Sequence, residues 1–267
     1  MSNSKEYRLE AFGKLLDVLD ILREQCPWDR KQTNQSLRCN TIEEVYELSN
    51  ALIEEKSSEI KKELGDVLLH VLFYSKIADE KQDFDIADVC DSLREKLIFR
   101  HPHIFGDVEV GNAEDVEHNW EQIKLKEKGG NKTVLSGVPA ALPSLIKAER
   151  IQEKAANAGF DWEEPAQVWD KVKEEIAEVE TELKNGDSSS REKEFGDLLF
   201  SVINAARLYK VNVDNALELT NRKFISRFGY VERELRKSGK KFSDVNLEYM
   251  DKLWNEAKIL EHDTDNK

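Results

Sequence analysis

One pattern of acidic residues occurs twice in this chain, at a spacing that constrains the fold. Its second copy consists of Glu174, Glu175 and Glu178, followed 16 positions after Glu178 by Glu194 and Asp197. An α-helix turns by about 100° per residue, so residues three apart share one face. The polar segment NGDSSS between the two groups predicts a tight connection between two helices. Four carboxylates would then converge across a helical hairpin, and such a cluster needs a cation.

The first copy of the pattern lies about 130 residues earlier. It comprises Glu43, Glu44 and Glu47, then Glu63 and Asp66, with the same 16 positions separating Glu47 from Glu63. Residues outside the acids also correspond between the copies. These pairs are Lys96 with Lys223, Arg100 with Arg227, Trp120 with Trp254, and Lys124 with Lys258. The offset runs only from 127 for Lys96 and Lys223 to 134 for Trp120 and Trp254. An internal duplication therefore covers nearly the whole chain.

The remaining sequence favours an all-α fold. Apolar residues recur at three- and four-residue steps from about residue 8 to residue 24, which is typical of an amphipathic helix. With 5 prolines and 12 glycines in 267 residues, few positions interrupt helices, and strand patterns are nearly absent. Helical periodicity is lost in the segment GGNKTVLSGVPAALP. We therefore predict two tandem helical bundle domains, 1–128 and 144–267, joined by a linker at 129–143.

Composition excludes several classes of function. The formal charge of −14 opposes non-specific binding to nucleic acid, which depends on lysine and arginine displacing counterions. The cysteines Cys26, Cys39 and Cys90 are odd in number and in no metal-ligand spacing, so we expect free thiols in a reducing compartment. There is neither an apolar stretch of membrane-spanning length nor a signal-peptide pattern at the N-terminus. The expected location is the cytoplasm, without a membrane or nucleic-acid partner.

Two local patterns admit structural interpretations. Thr41 with Glu44 three residues later resembles a capping box, in which Glu44 would cap a helix instead of binding a metal. The HPH motif at 101–103 places two imidazoles around a proline without a third ligand, and we interpret it as a loop that ends a helix.

The ligand types in the acidic clusters indicate the metal. Carboxylate oxygens without cysteine or histidine favour Mg²⁺, or Mn²⁺, over zinc. Di-iron helical proteins use Glu-x-x-His pairs, whereas both copies here have Glu-x-x-Glu and Glu-x-x-Asp, so oxygen chemistry is not expected. Mg²⁺ held by a few carboxylates commonly completes its coordination with water and substrate phosphates. We therefore expect a substrate that carries phosphate.

Together these motifs resemble a known family. The tandem EExxE and ExxD groups, with CPWDRKQT, RHPHIF, GFDW, NRKF and a terminal WxxxAK, resemble the MazG nucleoside triphosphate pyrophosphohydrolases over residues 14–127 and 141–261. The resemblance implies an all-α nucleotide pyrophosphatase fold, usually paired into a dimer. It also implies Mg²⁺-dependent hydrolysis of NTPs or dNTPs to the monophosphate and pyrophosphate.

The resemblance also assigns roles to residues. Glu175, Glu178, Glu194 and Asp197 would be the metal ligands, although helix geometry alone leaves Glu174 as good a partner for Glu178. The implied contacts to the triphosphate are Lys223, Arg227 and Lys258, and the implied stacking residue in the nucleotide pocket is Trp254. We take Glu174, Glu175, Glu178 and Lys223 as the catalytic residues. Glu174 is either the general base or a support for the ligands.

Some of these residues have alternative roles. Lys171 and Arg191 lie one turn before the acidic groups and would reach phosphate or base, or else form salt bridges with the acids. Trp254 would also suit a helix core, and Lys96 with Arg100 would suit a solvated basic pair. The N-terminal copy retains its acids, its basic pair, Trp120 and Lys124. The family resemblance nevertheless assigns NTP hydrolysis to the C-terminal copy.

Two other functions remain to be compared with this one. One is a non-catalytic helical regulatory or interaction protein whose acids are solvated, but such a protein has no reason to repeat five acids and a basic pair at fixed spacing. The other is a pyrophosphatase specific for one damaged or uracil-bearing deoxynucleotide, which uses the same chemistry in a narrower pocket.

Overall fold

Helices dominate the part of the protein that its computed structural model describes, residues 3–108, 111, 123 and 133–265. These residues form α-helices and short 3₁₀ turns without a β-strand, which confirms the predicted all-α class. The chain divides into two compact units, Met1–Gly111 and Asn112–Lys267. The proposed linker at 129–143 falls inside the second unit, and the domain limits 1–128 and 144–267 stay predictions.

The N-terminal unit is built from helices that enclose one apolar core. They are α1 (Lys5–Gln25), α2 (Asn34–Ile53), α3 (Ser57–Asp79), α4 (Ile86–Arg100) and the short α5 (Pro102–Phe105). A three-residue connection joins α2 to α3, and the two helices pack as a hairpin. The core contains Leu19 of α1, Leu37 of α2, and Leu72, Phe73 and Ile77 of α3. Burial of these side chains fixes the α2–α3 hairpin against α1.

Helix α2 begins earlier than the sequence pattern suggested. Thr33 is its N-cap, accepts from the Ser36 backbone N–H at 3.1 Å, and forms a capping box with Ser36. Thr41 therefore lies inside the helix, where its hydroxyl donates to the Leu37 carbonyl at 3.0 Å. The capping role considered for Thr41 and Glu44 is wrong, because a competing Thr–Ser box lies two turns upstream. Glu44 is left on the helix face.

The C-terminal unit repeats the hairpin within a second set of helices. These are α6 (Ser144–Asn157), α7 (Val168–Asn185), α8 (Ser188–Leu208), α9 (Val213–Lys237) and α10 (Leu247–Asp265), with 3₁₀ turns at Val134–Gly137, Pro165–Gln167 and Phe242–Asp244. Val168, Val172 and Ala205 form the core between α7 and α8. A separate cluster at Val231 and Leu235 joins α9 to α10. Helix α6 packs against both α8 and α9.

Within the described ranges, no helix combines the length and the apolar character that crossing a bilayer requires.

Candidate active site

The α7–α8 hairpin positions the second acidic group. Gly186 and Asp187 connect the helices, and the Asp187 side chain caps α8 by accepting from the Ser190 backbone N–H at 2.8 Å. Arg191 closes the connection, because its Nε donates to the Glu182 carbonyl at 3.1 Å. The predicted tight connection is therefore present. Arg191 contacts a helix-end carbonyl in it, and the proposed contact with phosphate or base stays a prediction.

Three of the four predicted ligands of this group converge. Carboxylate oxygens of Glu175, Glu194 and Asp197 all lie within 4.8 Å of one another. Glu175 is 4% exposed, and its buried Oε2 has no hydrogen-bond partner in the described part of the chain. A buried carboxylate oxygen without a partner is costly unless a cation or donor satisfies it. The donor set is all oxygen, so these residues fit a hard divalent cation.

Lys171 neutralises part of the negative charge of the acidic cluster. Its Nζ lies 2.7 Å from Glu175 Oε1 and 3.1 Å from Glu174 Oε1. The hydrogen bonds to Glu175 and Glu174 raise the pKa of Lys171, so it is a cation at neutral pH. These contacts correspond to the salt-bridge alternative from the sequence. They hold one oxygen of Glu175 and leave the other without a partner among the residues that the structure describes.

Glu178 is outside the converging group. It is exposed one turn after Glu175 on α7. Desolvation, followed by the negative charge of Glu175, raises the pKa of Glu178. The negative charge of Glu175 therefore disfavours ionisation of the Glu178 carboxyl group. The role of Glu178 as a metal ligand stays a prediction.

The predicted basic and aromatic residues lie on the α9–α10 pair. Arg227 Nε donates to Glu261 Oε2 at 2.8 Å, and its guanidinium carbon lies 5.8 Å from the Trp254 ring centroid. Trp254 is half-buried against the Val231 and Leu235 cluster, as expected for a core aromatic. Its ring centroid is 5.0 Å from that of Phe224. Trp254 thus has structural contacts, and stacking on a nucleotide remains a prediction.

The two predicted lysines of this region are exposed. Lys223 lies one turn before Arg227 on α9, and Lys258 Nζ donates to Asn255 Oδ1 at 3.2 Å on α10. Neither is within ion-pair distance of the α7–α8 acids in the described residues, so the structure does not join them to that cluster. Their contacts with a triphosphate stay predictions.

The N-terminal copy also brings three acids together. Oxygens of Glu44, Glu63 and Asp66 lie within 4.8 Å of one another, and Glu63 Oε2 is buried without a hydrogen-bond partner among the described residues. Lys62 Nζ contacts Glu63 Oε1 at 2.9 Å. Desolvation and the charges of Asp66 and Glu47 raise the pKa of Glu44. Glu47 itself is not one of the converging ligands, just as Glu178 is not in the other copy.

The rest of the N-terminal prediction is only partly covered by the structure. Lys96 and Arg100 lie on α4 in the N-terminal unit. Trp120 and Lys124 lie outside the described residues. His101 ends α4 as its C-cap, with Nδ1 2.6 Å from the Leu97 carbonyl oxygen.

Two polar networks were not anticipated from the sequence. In the N-terminal unit the Thr41 hydroxyl oxygen lies 3.1 Å from His70 Nδ1 and 2.5 Å from the Tyr74 hydroxyl. In the C-terminal unit Arg207 Nη1 donates to Asp161 Oδ2 at 3.0 Å. Thr41, His70, Tyr74 and Arg207 lie on helices, whereas Asp161 lies in the loop after α6. Each network joins residues that are far apart in the sequence, so helical periodicity does not predict it.

Comparisons with known proteins agree with the motifs. A family model described as the MazG nucleotide pyrophosphohydrolase domain matches residues 32–105 and again residues 163–231. Each match contains one of the two acidic hairpins.

Similar proteins extend along nearly the whole chain. A Thermotoga maritima protein named nucleoside triphosphate pyrophosphohydrolase/pyrophosphatase MazG is 43% identical over 250 residues, which cover 92% of this chain and 95% of that protein. The nucleoside triphosphate pyrophosphohydrolase of Escherichia coli K12 is 39% identical over 262 residues, which cover 96% and 100%. YabN of Bacillus subtilis, an uncharacterized protein, is 47% identical over 88% of this chain and 49% of its own length. The chain therefore belongs to the MazG family.

Proposed function

We propose that this protein hydrolyses nucleoside triphosphates, NTPs or dNTPs, to the nucleoside monophosphate and pyrophosphate. The observation that carries the proposal is the cluster of Glu175, Glu194 and Asp197, in which one buried carboxylate oxygen has no hydrogen-bond partner among the described residues. The names of the full-length relatives from Thermotoga maritima and Escherichia coli support the same reaction. Such an activity would remove unwanted nucleotides from the cellular pool.

The proposed cofactor is Mg²⁺, with Mn²⁺ as a substitute. Glu175, Glu194 and Asp197 would hold it, and we retain Glu178 as a fourth ligand one turn along α7. When bound, such an ion polarises phosphate oxygens and lowers the pKa of a coordinated water, which promotes attack at the α-phosphorus. Lys171 fixes the Glu175 carboxylate through its 2.7 Å ion pair. Glu174 would be the general base or would hold Lys171 in place.

Cationic side chains would bind the triphosphate. We assign this role to Lys223, Arg227 and Lys258 of the α9–α10 pair, with Arg191 and Lys171 near the hairpin. Phosphoryl transfer depends mainly on positioning and on compensation of negative charge, and lysine and arginine supply both. Trp254 would stack on the nucleotide from its half-buried place beside Arg227.

We assign the activity to the C-terminal copy, within the proposed domain 144–267. We further propose a homodimer in the cytoplasm. Apolar side chains exposed on α8 and α9, such as Leu199, Phe224 and Ile225, support a dimer, because a second subunit would cover them. An enzyme with a narrow dNTP preference would use the same acids. A panel of substrates distinguishes such an enzyme from one that hydrolyses many nucleotides.

A direct test measures pyrophosphate release from a panel of NTPs and dNTPs with and without Mg²⁺. We expect release from several nucleotides that stops when EDTA is added. Release from one deoxynucleotide alone would support the narrow-specificity version. Undiminished release in EDTA would contradict the metal site.

A further inference from the structure

A polar network lies inside the α2–α3 hairpin of the N-terminal unit. Thr41 Oγ1 of α2 is 3.1 Å from His70 Nδ1 and 2.5 Å from the Tyr74 hydroxyl of α3. His70 is 7% exposed, so the network belongs to the interior of the hairpin. Polar groups in an interior reduce stability unless their hydrogen bonds are satisfied. Packing alone therefore gives no reason for placing three polar side chains here.

The C-terminal copy packs the same hairpin without such a network. Its acids follow those of the N-terminal copy by 131 residues, as Glu175 follows Glu44. At the same offset, the three network positions are occupied by Val172, Ser201 and Ala205. Val172 and Ala205 belong to the apolar core between α7 and α8, and Ser201 Oγ donates to the Leu198 carbonyl of its own helix at 2.8 Å. The hairpin thus does not need the network to form.

The hydrogen bonds determine which nitrogen of His70 carries a hydrogen. Thr41 has one hydroxyl hydrogen, and it donates this hydrogen to the Leu37 carbonyl at 3.0 Å. Thr41 Oγ1 can therefore only accept from its two other partners. Nδ1 of His70 and the hydroxyl of Tyr74 are then both donors. Burial lowers the pKa of His70, which the charge of Asp66 partly opposes, so the ring is neutral at pH 7 and its Nε2 is an acceptor.

This acceptor lies on the side of α3 that carries two of the acids. His70 follows Asp66 by four residues, so the two side chains share one face of the helix, and Glu63 lies a further turn back. Side chains of an α-helix lean toward its N-terminus, which directs the ring of His70 toward the acids. Nε2 has no hydrogen-bond partner among the described residues. It is available to a group bound at the acidic cluster.

The neighbouring cluster fits a divalent cation. Oxygens of Glu44, Glu63 and Asp66 converge, and Glu63, which is 4% exposed, has a buried Oε2 without a partner in the described part of the chain. His70 is not a member of the converging group, so the geometry does not make it a direct ligand. Mg²⁺ usually retains several coordinated waters. Groups beside a metal site commonly hold such ligands by hydrogen bonds.

We propose that His70 is a positioning residue of the N-terminal cluster and that its Nε2 accepts a hydrogen bond from a water coordinated to Mg²⁺ at Glu44, Glu63 and Asp66. Thr41 acts through His70, because its hydroxyl oxygen holds the hydrogen on Nδ1 and so leaves Nε2 as the acceptor. Metal binding in the N-terminal copy then depends on an imidazole that the C-terminal copy lacks. This inference goes beyond the proposed reaction, since it concerns the binding of an ion in the other copy.

Nuclear magnetic resonance of the full chain tests the state of the ring and its response to metal. Long-range ¹H–¹⁵N spectra of protein labelled with ¹⁵N-histidine distinguish a nitrogen with hydrogen from one without it, and His70→Gln identifies the signal among the 5 histidines. We expect hydrogen on Nδ1, and we expect Mg²⁺ to shift the Nε2 resonance more than the Nδ1 resonance. Hydrogen on Nε2 in the wild type, or an Nε2 resonance that Mg²⁺ does not move, would overturn the proposal.

Mn²⁺ binding tests the positioning role, with Mn²⁺ as a probe for Mg²⁺. Electron paramagnetic resonance measures free Mn²⁺ with the full chain carrying Asp197→Ala, which disables the C-terminal cluster. His70→Phe keeps a planar ring but removes the acceptor, and should weaken binding about 10-fold, whereas His70→Gln keeps an acceptor and should stay within about 3-fold of histidine. Equal binding with histidine and phenylalanine, or an equal loss with glutamine and phenylalanine, would contradict the role of Nε2.

A double-mutant cycle tests whether Thr41 acts through His70. Thr41→Val, which introduces the residue of the C-terminal copy, should weaken Mn²⁺ binding by itself and add nothing to the loss in His70→Phe. Ser201→Ala, at the position equivalent to His70, is the matched control and should leave binding unchanged. Additive losses in the double variant, or equal losses in Thr41→Val and Ser201→Ala, would contradict the proposal. None of these measurements uses a nucleotide, so their outcome is independent of whether the proposed reaction is confirmed.

Discussion

Lys171 Nζ lies 2.7 Å from Glu175 Oε1, while Oε2 of the same carboxylate is buried without a partner in the described part of the molecule. One oxygen is therefore fixed by an ion pair within α7, and the other remains available to a cation. The pair orients Glu175 before a metal binds. Pre-orientation of a ligand lowers the entropic cost of binding the ion.

The first prediction concerns the metal ligands. Glu178→Ala and Asp197→Ala should each reduce pyrophosphate release by about 100-fold or more, since even residues that only support metal ligands commonly cost 10- to 100-fold. Helical content by circular dichroism should not change. Glu180→Ala, an exposed residue on the same helix, is the control. Unchanged activity in Asp197→Ala would contradict the assigned cluster, and unchanged activity in Glu178→Ala would restrict the ligands to the three converging acids.

The second prediction concerns the position of attack. Water should attack the α-phosphorus, so hydrolysis in ¹⁸O-labelled water should place the label in the nucleoside monophosphate. Mass spectrometry of the separated products measures this directly. Label in pyrophosphate would indicate attack at the β-phosphorus. Release of orthophosphate and nucleoside diphosphate as main products would exclude the proposed reaction.

The third prediction concerns the pH dependence of stability. Burial alone would raise the pKa of Asp161, but hydrogen bonds from Arg207 and from the Trp162 backbone outweigh it and lower that pKa. The stabilisation is then fully present above about pH 4, the pKa of an unfolded aspartate, and is lost as the pH falls through the lowered folded-state value.

Asp161→Asn should therefore lower the free energy of unfolding by about 1.5–3 kcal/mol at pH 7, the usual contribution of a hydrogen bond to a charged group. The difference from wild type should shrink toward pH 3. Urea unfolding at both pH values measures it, with Asp170→Asn, whose side chain is 82% exposed, as the control. If wild type and Asp161→Asn differ in unfolding free energy by the same amount at both pH values, the ion pair of Asp161 is not the source of that difference.

The fourth prediction separates the two copies. A fragment from about residue 141 to residue 267 should hydrolyse NTPs unaided, and Glu47→Ala in the full chain should reduce activity little. Thr41 does not distinguish the copies, because it is not a helix cap. The copies do differ eleven residues after the matched Lys62 and Lys193, where the N-terminal core has the buried Phe73 and the C-terminal copy has Asn204. The measurement compares the rates of pyrophosphate release by Glu47→Ala and by Glu178→Ala. Equal losses, with the oligomeric state unchanged, would make the N-terminal copy catalytic.

The parts of the site that the sequence could predict are those set by local geometry. Glu194 and Asp197 are three residues apart on one helix, and a short polar segment joins that helix to the one carrying Glu175. Helical periodicity and hairpin length therefore suffice to bring them together. The same reasoning places Glu178 beside the cluster but cannot decide whether it points into it, because that depends on side-chain rotamers.

Features that depend on distant contacts were not predictable in this way. Gln152 of α6 donates through Nε2 to the Phe200 carbonyl of α8, and no periodicity in either segment specifies that pairing. The sequence does not determine where α2 begins, because Thr33 with Ser36 and Thr41 with Glu44 are two competing N-cap patterns. Only the backbone hydrogen bonds distinguish them.

Each acidic hairpin has a consequence for how such a protein can arise. All three converging acids of a copy lie on two consecutive helices joined by a few residues, so one short stretch of coding sequence specifies a whole ligand set. Tandem duplication of a gene segment therefore doubles the ligand set in one event, without requiring matching changes elsewhere. Selection can then act on the surrounding helices of one copy while the other keeps its acids, and the exchange of an amide for a phenylalanine between Asn204 and Phe73 records such a divergence.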